Sequence, residues 1–141
     1  AWVEANKLRA QAYFTVDDLK YLQRGGRISS AAAAIGSLLD LKPILTETRE
    51  GKLAAAQKVR GRKKALGYMV DKAAEEIEDT QESICLVLHA DAKDDAMKLA
   101  IMLHDRIEKL TVRVENIGPV IGTHAGPGTV AVCFIGKERT L

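Results

Sequence analysis

The sequence is poor in aromatic residues, cysteine and net charge, and each scarcity removes a class of function. Phe, Trp and Tyr make up 4% of the 141 residues. That argues for aliphatic packing and against the stacked ring platforms of single-strand nucleic-acid binders. The formal net charge is +2, too small to imply a nucleic-acid partner by itself. No apolar run approaches the roughly 20 residues that span a bilayer. The opening Ala1-Trp2-Val3-Glu4 has neither the basic start nor the apolar segment of a signal peptide. The two cysteines, Cys85 and Cys133, lie in apolar strand-like runs. They read as buried reduced thiols of a cytoplasmic protein, or as a pair if their strands are neighbours. His89 and His104 fall in different elements, and no His/Cys/Asp spacing matches a zinc site. The glycine-rich stretch lacks the Gly-Lys-Ser/Thr ending of a Walker loop, and no serine sits in a nucleophile elbow. There is no internal repeat, low-complexity segment or interior linker. The chain has no initiator Met and opens in what reads as the end of a helix, so a fragment lacking its N-terminal part is expected.

What is present fits one soluble domain over residues 1–141, with 47% hydrophobic and 28% charged residues. Trp2 to Ala10 reads as the end of a helix and Gln11 to Val16 as a short strand. Asp17 or Asp18 can cap a helix over Leu19 to Arg24 that Gly25-Gly26 stops. A second helix is expected over Ile28 to Leu39, driven by Ala31 to Ala34. Lys42 to Thr48 and Lys52 to Val59 flank Arg49-Glu50-Gly51 as a hairpin. Apolar spacings of three and four predict a helix over Arg62 to Asp79. Ser83 to His89 is a continuous apolar run, as in a strand buried on both faces. Asp91 is expected to cap the next helix, with Asp94 and Asp95 in its first turn. Strands at Thr111 to Ile117 and Thr129 to Ile135 complete an α/β (α+β) fold, a mixed sheet with packed helices, in which a βαβ unit makes two strands parallel.

Two stretches carry the candidate chemistry. The first is Ile117-Gly118-Pro119-Val120-Ile121-Gly122-Thr123-His124-Ala125-Gly126-Pro127-Gly128. Pro119 suits the first turn of a short helix and Gly126-Pro127 its stop, which would present His124 at a turn inside a rigid Gly/Pro frame. The second is Asp17-Asp18-Leu19-Lys20-Tyr21-Leu22-Gln23-Arg24-Gly25-Gly26-Arg27-Ile28-Ser29. Its double glycine is either an ordinary turn with solvated arginines or an anion-attracting helix start flanked by Arg24 and Arg27. The densest basic run is Lys58, Arg60, Arg62, Lys63 and Lys64. Positive charge at a helix N-terminus is locally unfavourable, so the run reads as a solvated face or as a surface for an anionic partner.

Asp18-Leu19-Lys20-Tyr21-Leu22 followed by Arg24-Gly25-Gly26-Arg27-Ile28, Leu38-Leu39 with Lys42-Pro43-Ile44-Leu45, and Ile117 to His124 with Gly126-Pro127-Gly128 together resemble the DegV family. The resemblance covers nearly the whole chain and has the spacing of the family's second α/β domain. It implies a bacterial cytoplasmic protein, not itself an enzyme, that holds a long-chain fatty acid in a tunnel. The carboxylate is presented to a separate fatty acid kinase for acyl-phosphate formation, with no cofactor, no metal and no nucleic acid. It also implies that the family's first domain, which brings hydroxyl groups to the carboxylate, is absent here. On that reading His124, Arg27, Ile28, Ala31, Ala32, Ile35, Leu39, Ile121, Gly122 and Thr123 contact the ligand. Arg60, Arg62 and Lys63 contact the kinase. The helix with Ala31 to Ala34, Ile35, Leu38 and Leu39 is then an acyl wall, or else a tightly packed core helix. The other readings are a phosphoryl-transfer subunit or hydrolase using His124, similar to dihydroxyacetone kinase domains, and an interaction domain without a ligand.

Overall fold

Short alternating or continuously apolar runs fold as strands of one sheet. The computed structural model describes residues 1–29, 41–78 and 83–141. Its strands are β1 (Ala10–Thr15), β2 (Leu41–Glu47), β3 (Leu53–Arg60), β4 (Ile84–Ala90), β5 (Thr111–Asn116) and β6 (Thr129–Ile135). They lie in the order β3-β2-β1-β6-β4-β5. The β4–β5 pair is parallel and the other pairings are antiparallel, so the fold is the mixed α/β sheet that the patterning predicts. The helices of the described residues are α1 (Trp2–Asn6), α2 (Lys20–Arg24), α3 (Arg62–Glu76), α4 (Lys93–Arg106) and α5 (Pro119–Ala125). The β2–β3 hairpin closes where Gly51 takes φ +74°, a value that suits a residue without a β-carbon.

Helices α3 and α4 cover one face of the sheet. Ala65, Leu66, Met69, Val70 and Ala73 of α3 meet Ala96, Leu99 and Leu103 of α4 over Ile44, Cys85, Val87, Val130, Val132 and Phe134. Each large aliphatic side chain fully buried there contributes about 1.5–3 kcal/mol. On the opposite face a second cluster forms from Val16, Leu19, Leu22, Leu45 and Ala125. Among the described residues it seals the end of the sheet where β1 runs into α2.

Four expectations are corrected. The β4 run is not buried on both faces: Cys85, Val87 and His89 point to the core, while Ile84 is 47% and Leu86 36% exposed. Among the described residues both long helices lie on one side, and β4 pairs antiparallel with β6 rather than sitting in a doubly covered parallel sheet. Asp91 does not cap α4. It takes φ +49°, a left-handed conformation that Asp tolerates better than most residues, and Ala92 becomes the N-cap. The Ala92 N–H then donates to Nδ1 of His89 over 3.4 Å. The predicted helix over Arg62 to Asp79 ends at Glu76, with Ile77 extended. The two cysteines sit on adjacent strands yet cannot pair. Cys133 is opposite Leu86, so it faces away from the core that holds Cys85, and both thiols are free. The predicted helix over Ile28 to Leu39 lies, beyond Ser29, outside the described residues.

Candidate functional site

Two glycine-bearing segments far apart in sequence meet on the second face of the sheet. Helix α5 is built as its frame predicts: Gly118 is the N-cap, Pro119 the first residue, and Gly126 ends it at φ +83°. The N–H of Gly126 closes the last turn on the Gly122 carbonyl, 2.8 Å away. Helix α2 starts where Oδ1 of Asp18 accepts the Lys20 N–H at 2.9 Å, and ends on Gly25. The two helices pack against each other. His124 therefore lies in the last turn of α5 rather than in the loop after it.

The packing is ring against glycine, twice. A β-carbon on Gly25 would fall onto the imidazole of His124, 3.0 Å from Cε1 and closer still to Nδ1. A β-carbon on Gly126 would lie 2.5 Å from Cδ2 of Tyr21. A third glycine, Gly128, leaves room for the carboxylate of Asp17. Sequence reasoning finds these glycines but not the side chains that fill the space beside them. Tyr21 and Asp17 are thus missed as parts of the site.

His124 is half-buried, and among the described residues its ring nitrogens have no hydrogen-bond partner. The neighbouring polar groups are engaged locally. Nη1 of Arg27 donates to the Gly25 carbonyl at 2.6 Å, and Oγ1 of Thr123 donates to the Pro119 carbonyl at 2.7 Å. Gly122 is spent inside the helix, its N–H on the Gly118 carbonyl. Ile121 is 64% and Val120 73% exposed, an apolar surface on the helix that carries His124. Ile28 packs on the second cluster and lines a hollow of about 80 Å³ with Leu19, Pro43, Leu45 and Leu53. That volume is well below the roughly 300–1,000 Å³ of small-molecule pockets. Ala31, Ala32, Ile35 and Leu39 lie outside the described residues. His124, Arg27 and Ile28 are thus brought to one side of the sheet by the α2–α5 contact.

The basic run divides in two. Arg60 and Lys63 are exposed. Arg62 turns inward: its Nε donates to Oδ2 of Asp95 at 2.8 Å, and its Nη2 donates to the Gly128 carbonyl. Its Nη1 lies 3.6 Å from Oδ1 of Asp17, which also pairs with Lys42 at 3.0 Å. Burial alone would raise the Asp95 carboxyl, but hydrogen bonds from Arg62 and Lys98 outweigh it and hold its pKa below the ordinary value. This network explains locally why an arginine opens α3. Among the described residues no group of three or more His, Cys, Asp or Glu is placed to hold a metal ion. No helix among them is long and apolar enough to cross a membrane.

The model of the DegV family, described as an uncharacterised protein, matches residues 1–137. A DegV domain-containing protein of Clostridium perfringens is 44% identical over 139 residues, covering 99% of this chain and 48% of its own length. Protein DegV of Bacillus subtilis is 38% identical over 135 residues, covering 96% of this chain and 48% of its own. Among solved structures, a fatty acid binding DegV family protein from Streptococcus agalactiae matches with a TM-score of 0.85 at 34% identity, over 97% of this chain and 48% of that one. A DegV family protein from Thermus thermophilus, described by its fatty acid binding, gives a TM-score of 0.82 at 31% identity, over 96% of this chain and 49% of that one. The chain spans about half the length of the relatives it matches. Matched by the family model over nearly all of its sequence, the chain belongs to the DegV family.

Proposed function

We propose that this domain supplies one wall and one head-group contact of a site for a long-chain fatty acid, whose carboxylate accepts a hydrogen bond from His124. The observation that carries the reading is the imidazole itself. It is half-buried and held against Gly25, and it has no partner among the described residues. A carboxylate at an apolar boundary needs such a donor, because burying it unpaired costs several kcal/mol. Exposed Val120 and Ile121 beside it offer apolar contact, and the solved relatives from S. agalactiae and T. thermophilus are described as fatty acid binding. Ala31, Ala32, Ile35 and Leu39 are proposed as acyl-chain contacts, with Arg27, Ile28, Gly122 and Thr123 around the head group. The stretch that the relatives carry beyond the matched half would close the site. Burying some sixteen methylenes at about 0.8 kcal/mol each gives a gross term near 13 kcal/mol, before ordering costs. Chain burial then sets affinity, and the head-group contacts set orientation.

In this reading the protein is a carrier. The oriented carboxylate is presented to a separate fatty acid kinase, which Arg60 and Lys63 would help to dock. His124→Ala tests the head-group contact. Oleate binding followed by calorimetry should weaken by about 1–3 kcal/mol, roughly 5- to 150-fold, the range for leaving a buried polar group without its hydrogen-bond partner. The fold, followed by circular dichroism, should be kept. Wild-type affinity in the variant removes His124 from the site.

A further inference from the structure

The two glycines of the Gly25-Gly26 pair do different things. Gly26 takes φ +70°, and a β-carbon there would meet nothing within 4 Å. It is glycine for its backbone. Gly25 takes φ −77° and ψ −2°, an ordinary helical conformation that any residue adopts. It is glycine for space, and the space is filled by the imidazole of His124. The reciprocal contact pins the other partner. The ring of Tyr21 lies on Gly126, the residue that ends α5 two positions after His124.

We infer that Gly25 and Tyr21 are positioning residues for His124: Gly25 is the seat of the imidazole, and the ring of Tyr21 clamps the helix end that carries it. Among the described residues no hydrogen bond orients the His124 ring, so packing must do so. The Nδ1 side of the ring faces Gly25, which leaves Nε2 as the nitrogen open to a ligand. The Tyr21 hydroxyl has no hydrogen-bond partner among the described residues, so the clamp is the ring and not the oxygen. The seating is a property of the free protein. Its use in holding a carboxylate donor rests on the fatty acid reading above.

The test separates the two. In the ligand-free full chain, the His124 ring signals are followed by NMR in Gly25→Ala, Tyr21→Ala and Tyr21→Phe. The first two should shift or broaden those signals, and the phenylalanine variant should restore them. Because Gly25→Ala could lower stability generally, it is also made in the His124→Ala background, where the seat is empty. There the added methyl should leave the melting temperature of the single His124→Ala variant unchanged, whereas in the wild-type background it should lower it. Oleate affinity, by calorimetry, should fall about tenfold in Gly25→Ala, the equivalent of one displaced hydrogen bond. Unmoved ring signals in Gly25→Ala, or an equal loss of melting temperature with and without His124, overturns the seat. Unmoved signals in Tyr21→Ala overturn the clamp. Shifted ring signals with unchanged oleate affinity uphold the seating and sink the fatty acid role of His124 instead.

Discussion

Nε of Arg62 donates to Oδ2 of Asp95 over 2.8 Å, tying the first residue of α3 to the first turn of α4. A positive charge at a helix N-terminus is unfavourable by a few tenths of a kcal/mol. A hydrogen bond to a charged group contributes roughly 1.5–3 kcal/mol. The pairing therefore outweighs the helix dipole, and Arg62 belongs to the join between the two long helices. The unfavourable charge that marks the basic run in the sequence has at this position an internal explanation.

Removing that guanidinium leaves Asp95 and Asp17 without their shared partner. Arg62→Ala should lower unfolding stability by about 1–3 kcal/mol, measured by urea denaturation at neutral pH. The pH dependence has a definite sign. The folded-state pKa of Asp95 is depressed, below an unfolded value near 3.9. Its contribution is present in full above the unfolded pKa and is lost as pH falls through the folded one. Asp95→Asn should therefore cost stability at pH 6–7, and the gap to wild type should narrow toward pH 3. A gap of constant size across that range would mean that the carboxylate's charge contributes nothing.

The α5 frame was legible because Gly118-Pro119 and Gly126 signal a helix start and stop by chemistry that acts within one turn. The hairpin at Gly51 was legible for the same reason, and the β4–α4–β5 unit from its hydrophobic periodicity and the rule that such a crossover joins parallel strands. What stayed hidden depends on residues distant in sequence. Gly25 announces a missing β-carbon without saying that His124 fills its place, and Gly128 does the same for Asp17. The run from Ile84 to Leu88 is apolar at every position, so its pattern cannot tell a strand covered on both faces from one covered on a single face. Asp91 looks like a cap by residue type, yet the left-handed turn it makes moves that role to Ala92.

Arg60 and Lys63 keep the proposed role in docking a kinase, since both are exposed and neither joins the Arg62 network. Rim charges steer association more than they hold a complex, and salt screens them. Replacing both by Ala should leave oleate binding unchanged but slow acyl-phosphate formation by the kinase at low ionic strength. The difference from wild type should shrink as salt is added. Normal turnover of the double variant at low salt would identify them as a solvated face.

Leu86 and Leu99 test the one-sided burial of the sheet with the same truncation. Leu99 is 0% and Leu86 36% exposed. Leu99→Ala should cost about 2–5 kcal/mol, because the transfer loss is joined by an unfilled cavity. Leu86→Ala opens no cavity in the core and should cost less than about 1 kcal/mol. Urea denaturation of the two variants decides it, and equal losses would mean that β4 is covered on both faces after all.

The cysteines give an independent reading of the same two faces. Burial pushes the Cys85 thiol up to about 12 and the Cys133 thiol up to about 11. The thiolate is the reactive form, so both should react slowly with alkylating reagents in the native protein at pH 8. They should not react equally. Cys133 is half-buried on the face that α3 and α4 leave bare, whereas Cys85 lies in the core beneath them. Labelling of Cys133 should proceed from the folded state. Labelling of Cys85 must wait for opening of the core, and should accelerate in the destabilised Leu99→Ala variant while that of Cys133 changes little. Mild oxidation should leave both thiols free, because their side chains leave opposite faces of the sheet and no disulfide can span it. Mass spectrometry of the labelled peptides reads all three outcomes, and a Cys85–Cys133 cross-link in the folded protein would contradict the strand register from which they follow.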